Sequence, residues 1–507
     1  MKRKINKKSL TMKKLNVEIL QTQKGITLLI IVITIIVLLI LAGITIGAIT
    51  GDESTIVNAS KAKFKTEIKD IEEKIELEEI NNNDGEDFQF GTLKDLIGRE
   101  DGYNEILYME DGKLVYIEDK VSNKQAQWLE EMDIQAKQNI IPIYTGEQFK
   151  KIGTGEEIEI EEAGGEKFQF NIDSYYVLQN DINLNCNEEN QWKPLGSTNE
   201  FKGILDGKNY NVSGIYINSN EEYIGVFAYN NGTIENIVLN NGYIKGLNYV
   251  SGIVARNNTS GKIINCVNKV EINNITGNYS GGIVSDNRGL IENCENNSYL
   301  DFHAIAGGIC GANSSSGIIK NCKNTHEILL RDFRIGGIVG QNNGIVEKCY
   351  NAGAVVASKN EGRYGRGGIV GQNMGSIMNC YNIGNISAYS NNWNVGGISG
   401  SNESNGNIEF SYNVGNISGT SMNIGGIVGS NIGKTRYCYT IENIEMTGSN
   451  TGTLDNCLKL TEKQMKAQEK ITLEDGTMIS FIELLNKEEN CFVEDTKNIN
   501  KGYPIFQ

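Results

Sequence analysis

An uninterrupted apolar run stands near the start of the chain. The segment Ile26–Thr50 contains no charged side chain. As a helix it would be about 37 Å long at roughly 1.5 Å per residue, longer than the roughly 30 Å hydrocarbon core of a bilayer. It also exceeds the roughly 7–15 apolar residues of an ordinary secretory signal peptide. The pattern therefore predicts a single transmembrane helix.

The polar and apolar positions after this run follow a helical period. Phe64, Ile68, Ile71 and Ile75 are separated by four, three and four residues, which places them on one face of a helix. Lys and Glu side chains occupy many of the remaining positions. We therefore expect a helical stalk over residues 51–80.

Residues 81–140 show the signals of a small α+β domain. Two short apolar stretches flank Asp111 and Gly112, and an Asp-Gly pair favours the tight turn of a β-hairpin. Ser122 followed by Gln125 matches a capping box, so a short helix is expected to begin there. No set of chemically reactive residues accompanies these elements, and the sequence predicts a spacer.

From residue 141 onwards the pattern becomes repetitive. Each repeat has two or three apolar stretches of three to five residues between glycines and asparagines, too short for helices and suited to strands. A glycine before an apolar pair recurs every 26–31 residues, at Gly225, Gly252, Gly282, Gly308, Gly337, Gly368, Gly397 and Gly426. Such a period suits one coil of a parallel β-helix, because coils bury an apolar face only when they stack. We predict a mainly β fold, a right-handed parallel β-helix preceded by the transmembrane helix and the spacer.

Cysteine and asparagine recur in phase with this glycine. Six cysteines lie 12 or 14 residues after it, at Cys266, Cys294, Cys322, Cys349, Cys380 and Cys438, and Ser411 takes the place in the seventh repeat. Two residues further on stand Asn268, Asn296, Asn324, Asn351, Asn382 and Asn413. We expect an inward ladder of cysteines acting as small apolar residues, and a structural asparagine ladder. The even cysteine count leaves a disulfide framework open, whereas the lack of C-x-x-C and paired histidines argues against zinc.

Composition and charge narrow the choice of partners. The 58 glycines and 3 prolines suit tight turns rather than collagen or a proline-rich linker. The net charge is −16, but residues 1–25 alone carry +7, so the rest is strongly acidic and is not expected to bind nucleic acid. Basic residues before the apolar run and acids after it place the N-terminus in the cytoplasm and the bulk of the chain outside.

The repeats show no catalytic constellation. Asp286, Asp301 and Asp332 do not share a repeat position, and the only histidines, His303 and His326, lie at different phases. A polysaccharide-active β-helix enzyme would need clustered carboxylates. The sequence therefore predicts no catalytic residue, no cofactor and no metal.

Aromatic residues concentrate in or near the turns of the repeats. They are Tyr216, Tyr223, Tyr229, Tyr243, Tyr249, Tyr279, Tyr299, Tyr350, Tyr364, Tyr381, Tyr389, Trp393 and Tyr412. Such side chains either cover the core or present a binding surface for sugars or proteins. Tyr350, Tyr381, Tyr412 and Tyr439 directly follow the cysteine position, so this series is regular.

The start of the apolar run resembles the processing site of type IV prepilins and pseudopilins. The resemblance rests on Lys24–Leu29 and covers about the first 55 residues. It implies that a prepilin peptidase cuts between Gly25 and Ile26 and methylates the new N-terminus. The family usually has Glu at the fifth mature position, where this chain has Ile30. A plain uncleaved anchor therefore stays open beside a pilus-associated subunit.

The repeats resemble the GLUG-motif repeats of bacterial surface proteins. Four copies carry the motif, at Gly337–Gly340, Gly368–Gly371, Gly397–Gly400 and Gly426–Gly429. Earlier copies have Ala228, Ala255 and Ser285 in place of its last glycine. The resemblance spans about 225–440, and roughly 140–507 with the lead-in and ending. It implies a cell-surface β-solenoid in which these glycines are structural.

Together these patterns divide the chain into a basic leader (1–25), a transmembrane pilin-like helix (26–50), a stalk (51–80), a spacer (81–140), opening coils (141–224), GLUG-type repeats (225–440) and a C-terminal coil and cap (441–507). We expect a single-pass cell-membrane protein, with its bulk outside, that binds a glycan or protein ligand in adhesion or surface interaction. Two alternatives stay open, a minor pilin-like assembly component and a polysaccharide-active enzyme.

Overall fold

The computed structural model describes residues 55–81, 107–110, 113–116, 121–136, 140–274, 278–303, 305–330, 334–357, 365–388 and 394–507. The chain divides into two compact units, Met1–Gln138 and Asn139–Gln507. The predicted transmembrane helix and the processing residues Gly25 and Ile26 lie outside the described residues. Within the described ranges, no helix combines the length and apolar character needed to cross a bilayer.

The described residues of the first unit form two helices and a small sheet. Its elements are α1 (Thr55–Asn81), β1 (Leu107–Glu110), β2 (Lys113–Tyr116), α2 (Asn123–Glu130) and β3 (Gln135–Ala136). Strands β1 and β2 pair antiparallel across the predicted Asp-Gly turn, and β3 adds to β2 in parallel. The core contains the predicted helix face together with residues of the sheet and of α2, namely Phe64, Ile68, Ile71, Leu107, Tyr116, Leu129 and Ile134.

The predicted capping box is present at the start of α2. The Ser122 hydroxyl accepts a hydrogen bond from the backbone N–H of Gln125, and the Gln125 side chain accepts one from the Ser122 backbone N–H. These two bonds satisfy donors that the first helical turn cannot pair internally.

The second unit is a parallel β-solenoid of about eight turns, which confirms the predicted mainly β, parallel solenoid fold of this part of the chain. Five sheets run along it, and each full coil contributes one strand to each sheet. The expectation of two or three strands per repeat was therefore wrong. Left-handed residues such as Asn293 and Asn321 bend the chain between two short strands that are only two residues apart, for example Leu290–Glu292 and Glu295–Asn296.

The sheets are numbered in the order in which the chain enters them within one coil. Sheet 1 contains the strands that end directly before the repeat glycines. Sheet 1 contains Glu222–Ile224, Asn248–Ser251, Tyr279–Gly281, Ile305–Gly307, Ile335–Gly336, Gly365–Gly367, Asn394–Gly396 and Asn423–Gly425. Sheet 2 contains Phe227–Asn230, Val254–Asn257, Val284–Asn287, Cys310–Asn313, Val339–Asn342, Val370–Asn373, Ser399–Asn402, Val428–Asn431 and Thr447–Asn450. Sheet 3 contains Ile140–Ile143, Tyr175–Leu178, Ile204–Asp206, Thr233–Glu235, Lys262–Ile264, Leu290–Glu292, Ile318–Lys320, Ile345–Glu347, Ser376–Met378, Asn407–Glu409, Lys434–Arg436 and Thr453–Asp455.

Sheet 4 contains Ile182–Asn183, Asn211–Ser213, Val238–Leu239, Val267–Asn268, Glu295–Asn296, Lys323–Asn324, Tyr350–Asn351, Tyr381–Asn382, Tyr412–Asn413, Tyr439–Ile441 and Leu458–Leu460. Sheet 5 contains Ile215–Asn218, Gly242–Gly246, Glu271–Asn274, Leu300–Phe302, Ile328–Leu330, Val355–Ala357, Ile386–Ala388 and Ile417–Gly419. The end of the solenoid nearest the start of the unit is covered by α3 (Gly146–Lys150) and by the hairpin Glu157–Ile160 and Glu166–Gln169 around a 3₁₀ turn, Glu161–Ala163. Aromatic residues of this cover, including Phe149 and Phe170, join the core.

Two asparagine ladders hold the coils together inside the solenoid. In the ladder that the sequence predicted, each side-chain amide donates to the next at 2.8–3.0 Å from Asn268 to Asn413. The sequence analysis missed the second ladder, which stands five residues after the repeat glycine. It joins Asn230, Asn257, Asn287, Asn313, Asn342, Asn373, Asn402, Asn431 and Asn450 at 2.8–2.9 Å. Each buried amide is thereby satisfied by the coils above and below it.

The C-terminal segment covers the outer surface of sheet 4. It contains α4 (Glu462–Met465), a hairpin (Ile471–Thr472 and Met478–Ile479), α5 (Phe481–Leu485) and a second hairpin (Phe492–Val493 and Ile505–Phe506). The regular tyrosine series lies beneath it. Tyr350, Tyr381 and Tyr412 stack in turn at 4.8 and 5.1 Å, and Phe481 packs edge-on against Tyr412 and Tyr439. This series is therefore an outward-facing row closed by a cap.

Candidate functional site

Aromatic side chains gather on the outer surfaces of sheets 1 and 2 in the first coils. Six residues form what we call the aromatic–arginine cluster: Tyr223, Tyr229, Tyr249, Arg256, Tyr279 and Asp286. The rings of Tyr223 and Tyr249 stack with centroids 4.5 Å apart and planes 10° apart. Tyr229 lies 4.8 Å from Tyr223, and Tyr279 lies 5.7 Å from Tyr249. None of the four rings is fully buried, so together they present a continuous aromatic surface.

The backbone holds the central pair in an uncommon conformation. Tyr223 and Tyr249 have φ angles of 61° and 52°, in the left-handed region that bulky residues seldom adopt. Their neighbours Glu222 and Asn248 remain paired in parallel register, so both bends occur at the same level of adjacent coils. Each such residue costs about 1–3 kcal/mol, and such strained residues cluster at functional sites. The conformation therefore marks this pair as a candidate site.

Arg256 is fixed between the rings and a carboxylate. Its guanidinium carbon lies 4.9 Å from the ring centroid of Tyr223 and 5.4 Å from that of Tyr249. Its Nε donates to Oδ2 of Asp286 at 2.8 Å, and Arg288 donates to the same oxygen at 3.2 Å. Burial acts to lower the pKa of Arg256, but the charge and the hydrogen bond of Asp286 together with Tyr223 and Tyr249 outweigh burial and raise the pKa. The cation therefore stays charged and holds the aromatic pair in place.

Two tyrosine hydroxyls of the cluster, those of Tyr229 and Tyr249, stay neutral over the physiological pH range. Burial is the main cause that raises the pKa of Tyr229 and of Tyr249. Neutral hydroxyls both donate and accept hydrogen bonds. The cluster therefore combines flat apolar rings with polar rims, a combination that suits the alternating C–H and hydroxyl faces of a sugar.

A groove of about 800 Å³ adjoins the cluster. Its walls are residues 188–194 and 221–224, together with Tyr229. Trp192 is buried and its indole N–H donates to the Val226 carbonyl at 3.1 Å, so it fixes the wall and offers no free ring. The groove extends the aromatic surface towards the first coils.

A polar strip continues from the cluster along sheet 2. The outward column passes in register through Tyr229, Arg256, Asp286, Ala312, Gln341, Gln372, Ser401, Ser430 and Ser449. Beyond Ala312, which interrupts the polar series, an amide or hydroxyl side chain stands on each coil from Gln341 to Ser449. A strip with one polar group per coil, roughly 4.8 Å apart, suits an extended ligand better than a compact one.

The other aromatic residues that the sequence placed in or near turns lie outside the aromatic–arginine cluster. Tyr216 and Tyr243 pair at 5.5 Å on sheet 5, beside Glu188 of the groove wall. Tyr299 lies outside the cluster, directly before the sheet 5 strand Leu300–Phe302. Tyr364, Tyr389 and Trp393 lie outside the described residues.

The predicted cysteine ladder occupies the solenoid interior. All six cysteines are buried, and the backbone N–H groups of Cys294 and Cys322 each point at the next sulfur at 3.4 Å. Ser411 keeps the pattern, because its hydroxyl accepts from the Cys380 N–H at 3.1 Å. Burial raises the pKa of the Cys294 and Cys322 thiols well above the usual range. All ten cysteines are free thiols in this structure, and Cys457 extends the column by one coil.

The repeat glycines lie where adjacent coils approach most closely. A Cβ on Gly337 would lie 2.1 Å from the Gly368 carbonyl oxygen and 2.3 Å from Cγ of Asn351. A Cβ on Gly368 or Gly397 would meet the same kind of obstacle, and one on Gly426 would meet the side chains of Thr440 and Ile444. Cβ atoms on Gly340, Gly371, Gly400 and Gly429 would meet the backbone of the preceding coil. The motif glycines therefore have a structural role in these coils.

The residues considered for catalysis do not come together. Asp286 is held in two ion pairs, Asp301 lies on sheet 5, His326 is exposed in a corner, and Asp332 lies outside the described residues. Within the described part of the chain, no group of three or more His, Cys, Asp or Glu side chains could hold a metal ion.

Stacking does bring two carboxylates side by side, Asp206 and Glu235 on neighbouring strands of sheet 3. Burial acts to raise the pKa of Asp206, but hydrogen bonds to its carboxylate lower the pKa overall. The donors are the Asn236 amide at 2.8 Å, the Lys208 backbone N–H at 2.8 Å and the Lys208 ammonium at 2.9 Å. Burial and the nearby Asp206 raise the pKa of Glu235. Asp206 is thus engaged in the turn formed by residues 207–210.

The fold places this protein among the parallel β-solenoids. No family model matches the chain, and no curated protein matches it. Among solved structures, a crystal structure of a candidate immunoglobulin A1 protease from Bacteroides ovatus is similar, at 19% identity and a TM-score of 0.38. The match covers 72% of this chain and 91% of that one. At these values the likeness assigns no activity to this chain.

Proposed function

We propose that this protein is a non-catalytic surface-binding solenoid that holds an extended glycan against the aromatic–arginine cluster and the polar strip of sheet 2. The observation that carries the proposal is the stacked pair Tyr223 and Tyr249, held in left-handed conformations and fixed by Arg256. Flat rings of this kind bind the apolar faces of sugars, and neighbouring polar groups give orientation.

The proposal includes attachment to a cell membrane. It rests on the apolar run Ile26–Thr50, the basic residues before it and the prepilin-like site at Gly25, and on the GLUG-like repeats for a surface location. We further propose that the coils wind right-handed, because crossovers between parallel strands of one sheet are right-handed in nearly all proteins. An anchored solenoid would hold its binding face outside the cell, where glycans are present.

The binding proposal predicts that the cluster determines affinity for polysaccharides. The test compares the purified Asn139–Gln507 unit with a Tyr223→Asn, Tyr249→Asn double variant on a panel of immobilised polysaccharides. Asparagine tolerates the left-handed backbone, so the variant removes the rings and keeps the fold. We expect affinity to fall by about tenfold or more, since two aromatic contacts are lost.

Tyr210→Asn provides the matched control, because Tyr210 is 37% exposed and lies outside the cluster. Its binding should equal that of the unaltered protein. The proposal is wrong if the double variant binds as tightly as the control, or if no polysaccharide binds. Release of new reducing ends or unsaturated sugars from the panel would instead support the enzyme alternative.

The anchor proposal predicts the N-terminus of the mature protein. Full-length protein taken from native membranes should begin at N-methylated Ile26 when analysed by intact mass and N-terminal sequencing. An intact Met1 would show that the apolar run is an uncleaved anchor and would remove the support for pilus association. Recovery of the protein only in the culture medium, lacking residues 26–50, would refute membrane attachment altogether.

A further inference from the structure

The two ends of the solenoid differ in how they are closed. The first coils are covered by α3 and the hairpin of residues 157–169, whose aromatic side chains complete the core. At the other end, sheets 2, 3 and 4 finish with strands from residues 447–460, and sheets 1 and 5 finish one coil earlier. Among the described residues, no further strand pairs with these last strands. The C-terminal cap packs on the side of the solenoid, over sheet 4, and does not extend the sheets.

The apolar core is uncovered at this open end. The inward column of sheet 3 is completely buried from Ile234 to Thr435, yet its last member, Leu454, is 38% exposed. Met422 and Ile432, in the turns of the coil beneath, are 70% and 48% exposed. Cys457, the last member of the cysteine column, is only half-buried. Exposed apolar groups are thus concentrated where the stacking stops.

The second asparagine ladder also ends at this open end. Asn450 accepts hydrogen bonds from the Asn431 side chain at 2.9 Å and from the Gly452 N–H at 3.2 Å. The other asparagines of this ladder after the first likewise accept a hydrogen bond from the asparagine of the preceding coil. Unlike those members, Asn450 has no asparagine above it. The edge strands Thr447–Asn450 and Thr453–Asp455 carry one charged residue, Asp455, and no proline, whereas the third edge strand, Leu458–Leu460, carries Lys459. Natural edge strands usually carry charged residues or proline to prevent pairing, so the edges of sheets 2 and 3 have little such protection.

We propose that the open end pairs with the same end of a second copy of this chain. The surface that fits an unfinished coil is another unfinished coil, because the backbone N–H and C=O groups of two edge strands can pair antiparallel across a two-fold axis. The covered first end blocks head-to-tail addition, so two copies can meet only open end to open end. Such a two-fold contact closes after two chains and does not continue into a fibre. This inference does not depend on ligand binding by the aromatic–arginine cluster.

The test measures self-association of the full-length chain in detergent micelles by sedimentation equilibrium. The unaltered protein should show a concentration-dependent dimer, and Leu454→Lys should weaken dimerisation by about tenfold or more by burying a charge in the interface. Ile345→Lys is the matched control, because Ile345 is 39% exposed on the same sheet but far from the end. Its dimer should be as strong as that of the unaltered chain.

Ser449→Lys provides a second variant that leaves the core untouched, because Ser449 lies on the outward column of the edge strand. It should weaken the dimer as well. Maleimide labelling of Cys457 should be slower at concentrations where the dimer predominates. A chain that stays monomeric at all concentrations overturns the inference. So does a dimer that both edge variants leave unchanged, because its contacts would then lie elsewhere, for example along the N-terminal apolar run.

Discussion

Replacing Gly337 by alanine is expected to lower the free energy of unfolding of the solenoid by about 3 kcal/mol or more. The new Cβ would stand 2.1 Å from the Gly368 carbonyl oxygen and 2.3 Å from Cγ of Asn351. Neither group can retreat, since the first is backbone of the next coil and the second belongs to a buried ladder. Urea unfolding of the Asn139–Gln507 unit, followed by circular dichroism, measures the effect.

Gly225 offers a matched control within the same motif position. A Cβ there would lie 3.2 Å from its nearest neighbours, the carbonyl oxygens of Ser251 and Ile253. Small adjustments can relieve such contacts, and alanine also restricts the unfolded chain, so Gly225→Ala should cost less than about 1 kcal/mol. Equal losses for the two variants would mean that glycine is needed for some reason other than coil-to-coil approach.

Replacing Asn342 by alanine is expected to lower the free energy of unfolding by about 3 kcal/mol. Asn342 is buried, accepts from Asn313 at 2.9 Å and donates to Asn373 at 2.9 Å. Its side chain also bonds the N–H and the carbonyl of Gly344. Alanine leaves these partners without bonds in a site that water cannot reach. The same urea titration measures the loss.

Asn450 is the control in the same ladder. It is exposed and accepts from Asn431 and from the Gly452 N–H, so water can replace its bonds when it is removed. Asn450→Ala should therefore cost less than about 1 kcal/mol. If Asn342→Ala unfolds at the same urea concentration as Asn450→Ala, the ladder does not contribute the stability assigned to it.

Periodicity was the most informative signal in the sequence. The repeat glycine predicted the coils, and the phase of cysteine behind it placed Cys294 and Cys322 in the interior. The second asparagine ladder was equally readable, because asparagine stands five residues after every repeat glycine. It was overlooked because asparagine is common in turns, and a fixed phase is visible only when the copies are aligned.

The strand count was misread for a local reason. Asn321 stands between Lys320 and Cys322, and its left-handed φ of 55° turns the chain from sheet 3 to sheet 4 within a few residues. The hydrophobic pattern of a sequence indicates which side chains are buried. It does not indicate where the backbone bends while the same side chains remain facing inward.

The sequence by itself determined the solenoid, because each coil must bury its apolar positions against copies of the same pattern. It also determined the single apolar run and the acidic charge of the body. Only the tertiary structure decided which aromatic residues are exposed and could contact a ligand. It covers Tyr381, Tyr412 and Tyr439 with a C-terminal cap from distant residues, and it stacks Tyr223 on Tyr249 beside Arg256. These outcomes depend on contacts between coils and with the cap, which are distant in sequence and leave no local pattern.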